Sequence, residues 1–115
     1  MQLFLHKKEL NMIVYNVSMV VEESIHEEWV EWMTKKHIPS VLATGCFKEN
    51  KMYHVVSPEP EEGDGMTFVM QYYADTLEDY ERYQISHAAI LQAEHKEKFK
   101  GKFTAFRTLM EEVSA

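Results

Sequence analysis

Cysteine is almost absent from this chain: Cys46 is the single one among 115 residues. One thiol excludes an internal disulfide and any zinc site built on cysteine pairs. Long apolar runs are missing as well. No stretch approaches the ~18–20 residues that a membrane helix needs. Leu3-Phe4-Leu5 is too short for the core of a signal peptide. The expected location is therefore cytoplasmic, with no membrane association. Positive charge is scarce: 12 Lys and Arg against 19 Asp and Glu leave a net charge of -7. A chain without a basic stripe neutralises few phosphates, so nucleic acid is not an expected partner. The expected partners are a small organic ligand or a second copy of the chain.

What is present suits one globular domain. The length fits a single domain, and a hydrophobic share of 45% is enough for a real core. Met12 opens the first regular pattern. Residues 1–11 are therefore expected to be an N-terminal extension, disordered or not native, and residues 12–115 the domain itself.

Residues 13–21, "IVYNVSMVV", alternate as a strand does, with every odd position apolar. "SIHE" then reads as a capping box, Ser24 as the N-cap and Glu27 three residues on. Ile25, Trp29, Trp32, Met33 and Lys36 mark one face of the helix that follows. Ile38-Pro39 bends or ends it, because the residue before a proline avoids the helical region, and Pro39 can open a short second turn through Leu42. Gly45 closes the segment. A second strand is expected over residues 46–57, and "SPEPEEGDG" is a loop. "MTFVMQYYAD" is the third strand, with Phe68, Met70 and Tyr72 on one side and Thr67, Val69, Gln71 and Tyr73 on the other. Thr76 caps the second helical tract, which Ser86-His87 interrupts and Gly101 ends. The fourth strand is "FTAFRTLMEEV". Its Phe106 and Met110 are expected to face the helices, and Arg107 and Leu109 to face away.

The order β-α-β-β-α-β is the split-βαβ, ferredoxin-like α+β arrangement. It is a four-stranded antiparallel sheet with two helices on one face. The other sheet face is expected to carry Val14, Asn16, Ser18, Val20, Val69, Gln71, Tyr73, Arg107 and Leu109. That set is too apolar for open solvent and too polar for a dry core. The simplest cover is a second copy, giving a two-fold homodimer through the open sheet face.

The segments "WMTKKHIPSVLATGCF" and "YERYQISHAAILQAEHKEKF" resemble the dimeric α+β barrel superfamily. That group holds antibiotic-biosynthesis monooxygenases, haem-degrading monooxygenases, stress-responsive barrel proteins and small cyclases. "MIVYNVSMVVEESIHEEWVEWMTKKHIPSVLATGCF" with "FRTLMEEV" is similar, more closely, to a family of short bacterial proteins catalogued as a domain of unknown function. The likeness spans nearly all of residues 12–113 and carries fold rather than activity.

Six histidines invite a test of chemistry. "HEEWV" lacks the second histidine of H-E-x-x-H. His87 and His95 lie about 12 Å apart along a helix, at about 1.5 Å per residue. Two ligands at ~2 Å from one zinc cannot span that. No metal and no cofactor is therefore expected. His37 reads structurally as a helix-end histidine facing the carbonyl dipole. Functionally, the resemblance implies a His-x-Pro at this place, which His37-Ile38-Pro39 matches. For His87 the resemblance implies a cavity histidine of the cyclases, although Ala88 and Ile90 depart from His-Pro-Ala-His. His95 falls where haem-degrading members keep an axial ligand, and Asn16 matches their first-strand asparagine. The third strand, however, lacks their tryptophan.

Asn16, Gln71 and Arg107 are expected to converge on one sheet face, with Tyr73 beside them. Structurally they would form a polar network that sets dimer register. Functionally Arg107 would bind an oxyanion that Asn16 and Gln71 orient, with His37 or His87 as general acid or base. Trp29 and Trp32 read as core. Two classes of function follow: a ligand-binding or accessory module, or a cofactor-independent monooxygenase, isomerase or cyclase acting on an aromatic or carbonyl substrate. A haem-binding relative stands third.

Overall fold

A computed structural model describes residues 11–113. Apart from Asn11, the extension expected over residues 1–11 lies outside the described residues. Strand β1 (Ile13–Val21) leads through a short 3-10 turn (Glu23–Ile25) into α1 (His26–Trp32). A π-helical turn (Met33–His37) continues into α2 (Ile38–Ala43). Strands β2 (Glu49–His54) and β3 (Met66–Ala74) follow, then α3 (Leu77–Ser86), α4 (Ala88–Lys98) and β4 (Phe103–Glu111). The strands lie in the order β2-β3-β1-β4, all neighbours antiparallel. The fold is ferredoxin-like α+β. Among the described residues no helix is long and apolar enough to cross a membrane.

The expected strand alternation governs the two central strands. Tyr15, Val17 and Met19 of β1 and Phe68, Met70 and Tyr72 of β3 are buried against the helices. Trp29, Met33, Val41, Tyr83 and Phe99 close the core from the helical side. Thr76 caps α3 as expected, its hydroxyl accepting from the Asp79 N–H at 3.1 Å. His87 breaks the second helical tract with φ -131 and ψ -36.

Three local expectations need correction. The Ser24 capping box does not form. Its hydroxyl donates to Glu22 Oε1 at 3.3 Å, and the chain enters α1 through the 3-10 turn instead. Strand β2 is shorter than residues 46–57. Pro39 does stand in the first turn of a further helical segment, as expected, but it neither ends the helix nor leaves His37 in its last turn. Proline has no N–H to give the preceding turn, and the π-helical widening immediately before it lets the helix run on. The buried face then passes from Met33 to His37 and Ile38, while Lys36 stays exposed.

The fourth strand carries the correction with most consequence. Arg107 pairs with Val17, and Phe106 with Ser18. Directly opposite residues share a face, so Arg107 and Leu109 lie on the helix side. Phe106 and Met110 lie on the open side. The expected faces of β4 were one residue out, which exchanges every side chain.

The β2–β3 connection rejoins the sheet at Gly65, whose φ is +84. A Cβ there would stand 2.7 Å from the Val21 carbonyl oxygen. Gly65→Ala combines a disfavoured backbone with a clash against a central strand, at a cost of about 1–3 kcal/mol. We expect a Tm at least ~4 °C below wild type in thermal denaturation. An unchanged Tm would show that the turn relaxes freely.

Candidate functional site

Two places in the fold gather the chemistry. The first is the open sheet face, where Asn16 and Gln71 stand opposite each other on β1 and β3. Gln71 Nε2 donates to Asn16 Oδ1 at 3.2 Å, and the Tyr73 hydroxyl donates to Gln71 Oε1 at 2.8 Å. Asn16 Nδ2 reaches the Ser18 hydroxyl at 3.4 Å. Three expected ligand residues thus form one connected polar row. Arg107 is not in it: the β4 register puts its side chain through the other face.

At one end of the row lies an open basin of about 550 Å³. Met12, Val14 and Met110 give it apolar walls, while Gln71, Tyr73 and Lys51 supply polar ones. The Lys51 ammonium sits 5.9 Å from the Tyr73 ring centre, within cation–π range. Lys51 also lies 4.0 Å from Glu49, and Lys48 bonds Asp75 at 3.0 Å, so neither is an isolated cation. Sequence reasoning missed Lys48, Lys51 and Met110. The strand parity of Lys51, opposite Gln71, was the signal available for one of them.

The second place lies between the helices and the sheet. His37 is 6% exposed and His95 2% exposed, and both are packed by aromatic rings. Trp32 stacks on each, with centroids at 5.3 and 5.4 Å. Phe103 lies flat on His95 at 3.9 Å. The Trp29 indole N–H donates to His95 Nε2 at 2.9 Å. An indole can only donate, so His95 Nε2 must be the unprotonated nitrogen of a neutral ring. Burial lowers the His95 pKa to about 3, with His37 and Arg107 adding to the effect. Burial likewise lowers His37 to about 4; the Glu94 carboxylate opposes this and Arg107 adds to it. Both rings are neutral at pH 7.

His37 Nδ1 is buried without a partner among the described residues. An unmet polar atom in that position costs about 1–3 kcal/mol. The cavity beside it measures about 20 Å³ and is walled by Tyr15, Tyr72, Tyr83, Gln92, His95 and Arg107 among others. His87 joins neither place. It is half-buried, and with Ser40, Thr44 and Ile90 it lines a shallow groove on the helical surface. His54, opposite Phe68, stacks on that ring at 4.9 Å. Cys46 is buried. Among the described residues no group of three or more His, Cys, Asp or Glu converges as a metal site.

The model of one protein family, domain of unknown function DUF4286, matches residues 12–113. The chain belongs to the DUF4286 family. No curated protein matches it. Solved structures similar to this DUF4286 chain share its fold at low identity. A dimeric ferredoxin-like protein from an uncultured marine organism superposes with a TM-score of 0.66 at 10% identity, over 91% of this chain and 97% of that one. An ethyl tert-butyl ether D (EthD) family protein from Bacillus halodurans gives 0.62 at 16%, over 88% and 99%. SnoaB, a cofactor-independent oxygenase from Streptomyces nogalater, gives 0.62 at 10%, over 91% and 96%. At such identities the likeness concerns the fold alone.

Haem does not fit the residues of this DUF4286 chain. His95 Nε2 already accepts from Trp29, and the adjoining cavity is far below the size of a porphyrin. The third strand offers Tyr72 and Tyr73 where the haem-degrading pattern has tryptophan.

Proposed function

We propose that this protein is a homodimeric small-ligand-binding module. Two copies pack their open sheet faces together, and the ligand occupies the basin beside Gln71 and Tyr73. The carrying observation is the basin itself. Its volume of about 550 Å³ falls inside the ~300–1,000 Å³ range of small-molecule sites. The water-sized cavity at His37 falls far below that range. The basin's apolar walls and hydrogen-bonding row suit a small organic molecule with an apolar body and one polar group.

The dimer reading rests on what the open face exposes. Phe106 is 71% exposed there, and Val20, Tyr53 and Met110 are exposed on the same face. A sheet with that much bare apolar surface calls for a cover. A face-to-face partner would also roof the basin. The competing enzyme reading places a working histidine beside the substrate. Among the described residues no histidine lines the basin, and His37 and His87 lie elsewhere. That arrangement favours binding over turnover.

Two measurements test the proposal. Light scattering behind gel filtration should give a dimer for the wild type and a monomer for Phe106→Asp. A thermal-shift screen of small carboxylic acids and phenols should yield a stabilising compound. Its affinity should fall about tenfold or more in Gln71→Leu, the scale of one lost hydrogen bond. A monomeric wild type would refute the assembly, and a ligand bound equally well by Gln71→Leu would refute the site.

A further inference from the structure

We propose that the cavity between helices and sheet is a built hydration site, which holds one water molecule donating a hydrogen bond to His37 Nδ1. The site is independent of the ligand basin on the opposite sheet face. Four observations lead to it. His37 is more than nine-tenths buried, and its Nδ1 finds no partner among the described residues. Native proteins satisfy such atoms, and buried water is the usual agent where protein groups do not reach. The cavity that His37 lines measures about 20 Å³. One water needs roughly 10–15 Å³ on this measure, so there is space for one and not for an organic ligand.

The walls have the right character. Cavities that stay dry are apolar, whereas a trapped water needs two to four polar partners. Here Tyr15, Tyr72, Tyr83, Gln92 and Arg107 share the lining with His37. Burial pushes the Tyr72 and Tyr83 phenols up, so both remain hydroxyls able to donate or accept.

The direction of the bond follows from the donor inventory. Arg107 offers donors alone, so a water beside it accepts there and turns its own hydrogens toward acceptors. A neutral His37 with Nδ1 as acceptor carries its proton on Nε2. His95 is the reverse, because Trp29 already holds its Nε2 as the acceptor. The two neighbouring histidines, with centroids 5.3 Å apart, thus hold opposite tautomers. Arg107 is exposed as well as cavity-lining, so the water exchanges with solvent past its side chain.

A high-resolution crystal structure of the wild type and ¹⁵N spectra of its imidazoles test the site. We expect one ordered density peak about 2.7–3.2 Å from His37 Nδ1. We also expect a ¹⁵N shift at that atom characteristic of an acceptor nitrogen. Val17→Ile, which adds a methyl group to the cavity wall, should expel the peak, and His37→Leu should lose it. An empty wild-type cavity, a protonated Nδ1 in neutral His37, or a peak unchanged in both variants would overturn the proposal. The wild-type measurements decide the matter even if a variant fails to fold.

Discussion

Trp29→Ala is expected to remove about 3–5 kcal/mol of stability, the usual cost of truncating a buried tryptophan. A domain of this kind has only about 5–15 kcal/mol in total. The size of the effect has two sources. Trp29 is fully buried, and its ring packs on Phe68 at a centroid distance of 5.0 Å. Its indole also supplies the hydrogen bond that satisfies His95 Nε2. Trp29→Phe separates the two contributions. It keeps most of the ring but strands the buried His95 nitrogen, which alone should cost about 1–3 kcal/mol. Urea unfolding with an unchanged m-value measures both variants on one scale. If Trp29→Ala unfolds within ~1 kcal/mol of wild type, the packing attributed to this residue is wrong.

Mild acid should destabilise the protein. His37 and His95 have folded pKa values of about 4 and about 3, below the ordinary value of 6.5. Between those limits the unfolded chain binds more protons than the folded one, so stability rises with pH through the window. The contribution is complete above about pH 6.5 and is lost as pH falls toward 4 for His37 and toward 3 for His95. At pH 5 each histidine should already have removed about 2 kcal/mol, from about 1.4 kcal/mol per pH unit. The Glu94 carboxylate softens this for His37, while Arg107 sharpens it for both. Urea titrations at pH 7.5, 6 and 5 read the slope directly. His37→Leu, where it folds, should flatten that slope by roughly half. A pH-independent stability across this range would mean that the two rings are not held neutral by burial.

Both predictions concern residues that the sequence placed unequally well. Trp29 was legible as core because helical spacing binds it to Ile25, Trp32 and Met33. His37 was not. Local rules read Ile38-Pro39 as a bend or end of the helix and left His37 in its last turn, at the carbonyl end of the dipole. The π-helical turn before Pro39 kept the helix going and carried His37 into the core. His95 offered a resemblance to a haem ligand, but its bond to Trp29 spans 66 positions of chain. No local pattern reports such a contact.

Arg107 shows the same limit from the side of the sheet. In β1 and β3 the apolar alternation is strong, so Asn16, Gln71 and Tyr73 could be assigned to one face from the sequence, and they are joined there. In β4 both parities carry apolar residues: Phe103, Ala105 and Leu109 on one, Phe106 and Met110 on the other. β4 is an edge strand, largely exposed. Burial therefore imposes little pattern on it, and Phe106 looked like a core residue.

By itself the sequence determined the order of elements, the ferredoxin-like class and the buried faces of the central strands. These follow from periodicities of two and about 3.6 residues, which are local. Tertiary structure alone decided the parity of β4, the burial of His37 beside His95, and the separation of Arg107 from Asn16 and Gln71. Those outcomes depend on which residue of one strand lies opposite which residue of another, and on how a helix absorbs a proline. The pairing is a long-range choice in which a one-residue step reverses a face, and a single sequence carries weak information about it.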